Sequence, residues 1–331
     1  KKKIKRFIIM KNILVTGGLG LLGKPLVSFL RKKKYNIFVL DRSKNEKRNS
    51  LIKGRNINFI YGSYQNKNFL KKIIKNKKIN VIFHTGAVTQ VLEGLKYPFK
   101  TYKNNIMGTI NILECIRQIN PSILLIYSSS DKAYGEIKKR NYLENDNLNS
   151  IYPYDLSKTC SDLICQSYSK VYNLKVAIVR CGNLFGPGDF NKNRIIPETI
   201  LSTMKNQRLK IRSSGKLIRD YLYVDDAVKA YFMIMNKLKN KNSNTLIYNV
   251  GSRDNLSVIK LVEMILTLMN RRDLKPIILN KSKKELKFQK LNDNKIRKEL
   301  GWKQSITINK ALKKTINWYK ENRNLFQKNY V

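Results

Sequence analysis

The chain has 331 residues, enough for one large or two modest domains with a proper core. Its 67 Lys and Arg against 22 Asp and Glu leave a net charge of +45, but Lys is spread through almost every segment beside abundant Asn and Ile. With no nucleic-acid-binding signature and no aromatic–basic stripe, the charge reads as a compositional bias compatible with anionic small molecules, and nucleic acid is the minority reading.

The start, KKKIKRFIIMKNILVTGG, has the basic-then-apolar order of a signal peptide. Lys11 and Asn12 break the apolar stretch and no small-residue cleavage pattern follows, so residues before Met10 are expected to be an upstream extension. No apolar run approaches the ~18–20 residues of a membrane span. Short apolar runs then alternate with helical patterns. ILVT (13–16), IFVL (37–40), INFI (57–60), VIFH (81–84), ILLIY (123–127) and VAIV (176–179) read as strands. KPLVSFL, IMGTINILECI and CSDLICQSYSKVY carry helical periodicity between them. That alternation predicts an α/β, Rossmann-type doubly wound parallel sheet. After Gly182 the pattern turns irregular, with GPGD and several prolines, before TLIYNV (245–250) adds one more strand. The tail carries two amphipathic helical stretches, IKLVEMILTLM and ITINKALKKTINWY. We expect a dinucleotide-binding domain over 10–182, rejoined by strand 245–250, and a smaller, mainly substrate-binding lobe over 183–331. His84 is the only histidine, which excludes a His-based triad within one chain, and Cys115, Cys160, Cys165 and Cys181 form no CxxC. No metal is expected; the cysteines read as small buried hydrophobes of a reducing, cytoplasmic protein.

The first strand runs into GGLGLLG (17–23), with glycines at 17, 20 and 23 before a helical segment. Glycine there lets the backbone turn tightly and approach a pyrophosphate, which sits on the helix N-terminus. At the end of the second strand, Asp41 suits the ribose 2′-hydroxyl of NAD, while Arg42 beside it is able to hold the 2′-phosphate of NADP. Further on, Tyr154 and Lys158 in YDLSK share one helix face. An ammonium near a phenol favours the phenolate, so Tyr154 is expected to be drawn down by Lys158 and to accept a hydroxyl proton. Packing is the plain alternative for Tyr152 and Tyr154.

TGGLGLLG, Ser130, YxxxK, RCGNLFGPGD and IRDYLYVDD occur in that order. With these motifs the chain resembles the extended short-chain dehydrogenase/reductases that act on nucleotide sugars, over residues 12 to about 320. The resemblance implies NAD as cofactor, NADP being the lesser alternative, and a nucleotide-diphosphate sugar as substrate. It implies a catalytic Ser130, Tyr154 and Lys158. It places the cofactor on Gly17, Gly20, Leu21, Leu22, Gly23, Asp41, Arg42, Gly86, Ala87 and Asn105, with Tyr154 and Lys158 beside it. The sugar nucleotide falls to Asn183, Arg194 and Arg219. A homodimer through helices near 102–118 and 154–170 is also implied. Two positions depart from the family: Ser63 stands after Gly62 where an acid is usual, and Thr85–Gly86 replace a pair of small residues after His84.

Asp131–Lys132, directly after Ser130, resembles the signature of nucleotide-sugar 4,6-dehydratases, and the surrounding text is similar to CDP-glucose 4,6-dehydratase-like members. Oxidation at C4 makes the C5 proton acidic, because the carbanion formed is an enolate. A base must then take that proton and an acid must protonate the departing C6 hydroxyl. Asp131 is expected to be the acid and Lys132 the base, in an environment that separates their pKa values. A 4-epimerase would use Ser130, Tyr154 and NAD but has no task for this pair. A solvated Asp–Lys turn is the bland alternative, and a non-catalytic NAD(P)-binding or RNA-associated scaffold the remote one.

Overall fold

The computed structural model describes residues 12–42, 44, 46–52, 54–137, 141–240, 244–281 and 288–326. The segment before Met10 lies outside the described residues. The described strands are β1 (Asn12–Thr16), β2 (Asn36–Asp41), β3 (Ile57–Tyr61), β4 (Val81–His84), β5 (Leu124–Ser130), β6 (Val176–Cys181), β7 (Asn183–Phe185), β8 (Lys210–Ile211), β9 (Ile218–Tyr223), β10 (Thr245–Val250), β11 (Asn255–Ser257) and β12 (Ile277–Ile278).

Seven of them form one parallel sheet in the order β10-β6-β5-β4-β1-β2-β3. Along β1, Ile13 and Val15 enter one core and Leu14 the other, so the sheet is buried on both faces, as near-continuous apolar strands require. Helices Gly23–Lys32 and Val224–Asn240 cover the first face with Leu26, Val27, Leu30 and Ile234. Helices Lys67–Asn76, Gly108–Ile119 and Pro153–Tyr172 cover the second with Leu70, Ile112, Leu113 and Cys165. Each such buried aliphatic side chain contributes roughly 1.5–3 kcal/mol.

β1 pairs with both β2 and β4. The chain winds outward to β3 and then reverses to β4, so the loops after β1 and β4 part company at the sheet's carboxyl edge. In open α/β sheets that switch point is where ligands bind.

β5 runs further than its apolar residues, through Ser128, Ser129 and Ser130. The serines stay in the strand because buried polar groups meet them. Ser129 Oγ donates to Asp162 Oδ2 at 2.7 Å, and the Tyr231 hydroxyl donates to Ser128 Oγ at 2.8 Å.

The irregular stretch after Gly182 holds more structure than its sequence suggests. β11, β9 and β7 make a three-stranded sheet, β12 pairs with β8, and β10 pairs with β6 in the large sheet. The strands missed from sequence are mostly two or three residues long, too short to show a period. A third core joins helices Ile195–Met204, Val258–Leu268 and Ile308–Glu321 through Ile200, Leu261, Ile265, Leu312 and Ile316. No helix among the described residues is long and apolar enough to cross a membrane.

Candidate active site

At the switch point the glycine loop is shaped by close backbone contact. Gly17 has φ +65°, and a Cβ on it would stand 2.5 Å from Gly86 Cα. A Cβ on Gly23 would stand 2.4 Å from Gly17 O, so the loop packs only without side chains at these points. Gly20 is exposed on the cavity wall, with Leu21 and Leu22 beside it. Helix Gly23–Lys32 starts with no side-chain cap and no acidic residue in its first turn, leaving N–H groups and the positive end of its dipole for an anion. Asp41, at the tip of β2, accepts from Leu19 N–H at 3.2 Å and from Arg42 N–H at 2.8 Å. These features fit a dinucleotide, with Arg42, Gly86 and Ala87 also lining the cavity.

Asn105 does not join them. Its Oδ1 accepts from Val88 N–H at 2.8 Å, while its Nδ2 donates to Val88 O and Ser157 Oγ at 3.0 and 2.8 Å. Buried and fully satisfied, it braces the segment next to Ala87 instead of lining the cavity. The sole histidine is likewise structural: Thr16 and Thr109 hydroxyls flank the His84 ring at 2.7 and 3.2 Å, and burial lowers its pKa to about 3.

Tyr152 precedes Pro153, whose fixed φ opens the helix Pro153–Tyr172. That helix places Tyr154 and Lys158 on the cavity wall facing Ser130. Ser130 lines the cavity with them, and its Oγ donates to Asp131 Oδ1 at 2.9 Å. Lys158 Nζ donates to Ser128 O at 2.7 Å and lies 5.2 Å from the Tyr127 ring centre. Burial lowers Lys158 to about 8. The expected lowering of Tyr154 is not found. Burial, then the neighbouring Asp155 charge, raise it, and the opposing influences are Arg194 and Ser130, with Lys158 spent on the Ser128 carbonyl.

Asp131 opens the 3₁₀ turn Asp131–Tyr134 and is 1% exposed. Its Oδ2 is buried without a hydrogen-bond partner. Burial raises the carboxyl above its ordinary range, against the lowering effect of Lys132 and the Ser130 bond. Half-buried Lys132 donates from Nζ to Oε1 of the buried Gln289 at 2.9 Å. Both residues line the cavity, so the pair is not a solvated turn.

The cavity measures about 1250 Å³ and also takes in the three residues expected to meet the sugar nucleotide. Asn183 Nδ2 is buried without a partner. Arg194 Nη1 donates to Asp189 Oδ2 at 3.2 Å, and the 7%-exposed Arg219 donates from Nη1 to Ile218 O at 2.9 Å. Sequence reasoning missed Asp155, Gln289 and Lys24. Lys24 Nζ donates to Leu19 O at 3.0 Å and to Gly188 O at 2.9 Å, tying the glycine loop to GPGD. Burial lowers it to about 7. Asp155 had a signal, an acid inside YxxxK; Gln289 had none.

A dinucleotide loop at the switch point, followed by Ser, Tyr and Lys around one cavity, defines a Rossmann-type oxidoreductive enzyme. The chain belongs to the NAD dependent epimerase/dehydratase family, whose model matches residues 13–251, and its cofactor is NAD. It is 29% identical to a dTDP-D-glucose 4,6-dehydratase of Dictyostelium discoideum, across 96% of this chain and 83% of that one. It is 31% identical to a putative UDP-glucose 4-epimerase of Methanocaldococcus jannaschii, across 94% and 99%. The structure of dTDP-glucose 4,6-dehydratase from Bacillus anthracis in complex with NAD superposes with a TM-score of 0.85 at 27% identity, covering 95% of this chain and 98% of that one.

Proposed function

We propose that this protein is a nucleotide-sugar 4,6-dehydratase that converts its substrate to a 4-keto-6-deoxy sugar nucleotide. The observation that carries the reading is the pair Asp131–Lys132, which lines the same cavity as Ser130 and Tyr154. NAD, when bound, supplies the acceptor for the C4 hydride and the donor that returns it to C6. Tyr154 takes the C4 hydroxyl proton with Ser130 on the same cavity wall, while Lys158, held one helical turn away on the Ser128 carbonyl, gives that wall its positive charge. Lys132, oriented by Gln289, removes the C5 proton. Asp131, whose burial favours the protonated form, gives its proton to the C6 hydroxyl, which leaves as water. Lys132 then returns a proton to C5 as hydride reaches C6. Tyr154 ends with one proton gained and Asp131 with one lost; Ser130, which donates to Asp131 and lines the same cavity as Tyr154, is the group that connects them.

Arg194 and Arg219 suit the diphosphate, and Asn183 offers the sugar nucleotide a donor. In this reading residues 10–182, with strand 245–250, carry the cofactor, and most of 183–331 shapes the substrate side. A homodimer is supported by exposed Phe99, Met107 and Leu163 on neighbouring helices, and a reducing cytoplasm by the four free cysteines. Mass spectrometry of CDP-, dTDP-, UDP- and GDP-linked glucose and mannose after incubation tests the reaction. Loss of one water from one substrate is expected and names the nucleotide. An unchanged mass with a changed sugar NMR spectrum means a 4-epimerase.

A further inference from the structure

Asp155 occupies the first variable position of YxxxK. It lies on the first helical turn, 3% exposed, and lines the cavity. Its Oδ1 is buried and has no hydrogen-bond partner. Asp131 Oδ2 and Asn183 Nδ2, from other elements around the same cavity, share that condition. Buried polar atoms are ordinarily satisfied, and a cluster of exceptions around one cavity points to a ligand that completes them.

An ionised carboxylate only accepts, so its partner must be a donor. Lys132 is turned to Gln289. The diphosphate of a sugar nucleotide is itself an acceptor and an anion, which Asp155 repels. The neutral, hydroxyl-rich hexose, which the reading above sets against the adjacent Tyr154, offers such donors. We propose that Asp155 accepts a hydrogen bond from a hydroxyl of the bound hexose and is a specificity-determining residue of this site.

The titratable groups facing Asp155 are Lys132 and Asp131 on the turn after β5, Arg219 on β9, and the neighbouring Tyr154 on its own helix. Burial, the largest cause, raises Asp155 to about 6, against the lowering effect of Lys132 and Arg219. Near neutral pH it is therefore an ionised, strong acceptor, and as pH falls through about 6 it gains a proton and the bond weakens.

The inference rests on reading the cavity as a nucleotide-hexose site, and holds for dehydration or epimerisation alike. Calorimetry on NAD-loaded protein tests it. The ligands are the best-bound of CDP-, dTDP-, UDP- and GDP-glucose and its 2-, 3-, 4- and 6-deoxy analogues. One analogue is expected to bind the wild type roughly ten- to a hundredfold more weakly, the loss typical of a hydrogen bond to a charged group. In Asp155→Ala that same analogue costs nothing further, and it names the hydroxyl. Wild-type affinity should fall as pH drops through about 6, and the affinity of Asp155→Asn should not; this isosteric variant carries the test if the alanine variant fails to fold. Equal penalties for every analogue in both proteins overturn the assignment, as does an unchanged pH profile in Asp155→Asn. A wild type that binds no nucleotide hexose overturns the reading of the cavity and this inference with it.

Discussion

At Asp131 a carboxyl that would be hydrated in an ordinary turn keeps a hydrogen bond from Ser130 on one oxygen and has no partner on the other. Desolvation favours its neutral form, which an acid catalyst needs and a surface residue lacks. Asp131→Asn keeps the size and removes the transferable proton. C4 oxidation should persist in it while water loss drops roughly 10²- to 10⁴-fold, read as NADH absorbance accumulating without a lighter product. Lys158 gives a second prediction. With burial holding it at about 8, its charge fades above that pH, so the rate of C4 oxidation should fall from about pH 8 upward. In Lys158→Arg, which stays charged, the fall should move to higher pH; an identical profile would show that another group sets it.

The elements explain why such residues stay where they are. β5 carries polar residues into the core because Asp162, which receives Ser129, also receives Arg180 Nε and Nη2, each at 2.9 Å. Arg180 further donates from Nη1 to the Tyr134 hydroxyl at 2.8 Å, joining β6 to the turn that holds Asp131 and Lys132. Asp162→Ala would strand a buried guanidinium. It should cost about 3–5 kcal/mol, measured by denaturant unfolding, and a loss below about 1 kcal/mol would contradict this role. In the glycine loop, Gly17→Ala meets a backbone contact and a left-handed φ together, and should lose NAD binding by calorimetry. This loop was legible in the sequence because its geometry is local: three glycines between a strand and a helix. The inner strands of the large sheet were legible because burial on both faces demands unbroken apolar runs; edge strand β3, with no buried residue, was legible from its short apolar run alone. Gln289 was not legible, since it meets Lys132 across 157 residues. Asn105 was misplaced for the same reason: its partners Val88 and Ser157 lie on other elements, and only the folded chain shows that they use up its amide.

For the whole molecule, Asp220 links stability to pH. Fully buried, it receives Ser252 N–H at 2.6 Å and Leu291 N–H at 3.4 Å, fastening segments 251–252 and 289–291 to β9. Burial raises it from 3.8 to about 7. A raised carboxyl holds its proton more tightly folded than unfolded. Its neutral form therefore adds stability that is complete below 3.8 and is lost as pH rises through about 7. Asp220→Asn cannot titrate, so across that window the stability difference should shift in favour of the variant; urea unfolding at several pH values would show it, and a flat difference would refute it. The most direct test of the account compares wild type with an Asp131→Asn, Lys132→Met double variant in a single turnover, following NADH absorbance and product mass together. The wild type is expected to release one water, while the double variant forms NADH and yields no lighter product. Turnover left largely intact in the double variant, with substrate and product of equal mass, would contradict it and make the enzyme an epimerase.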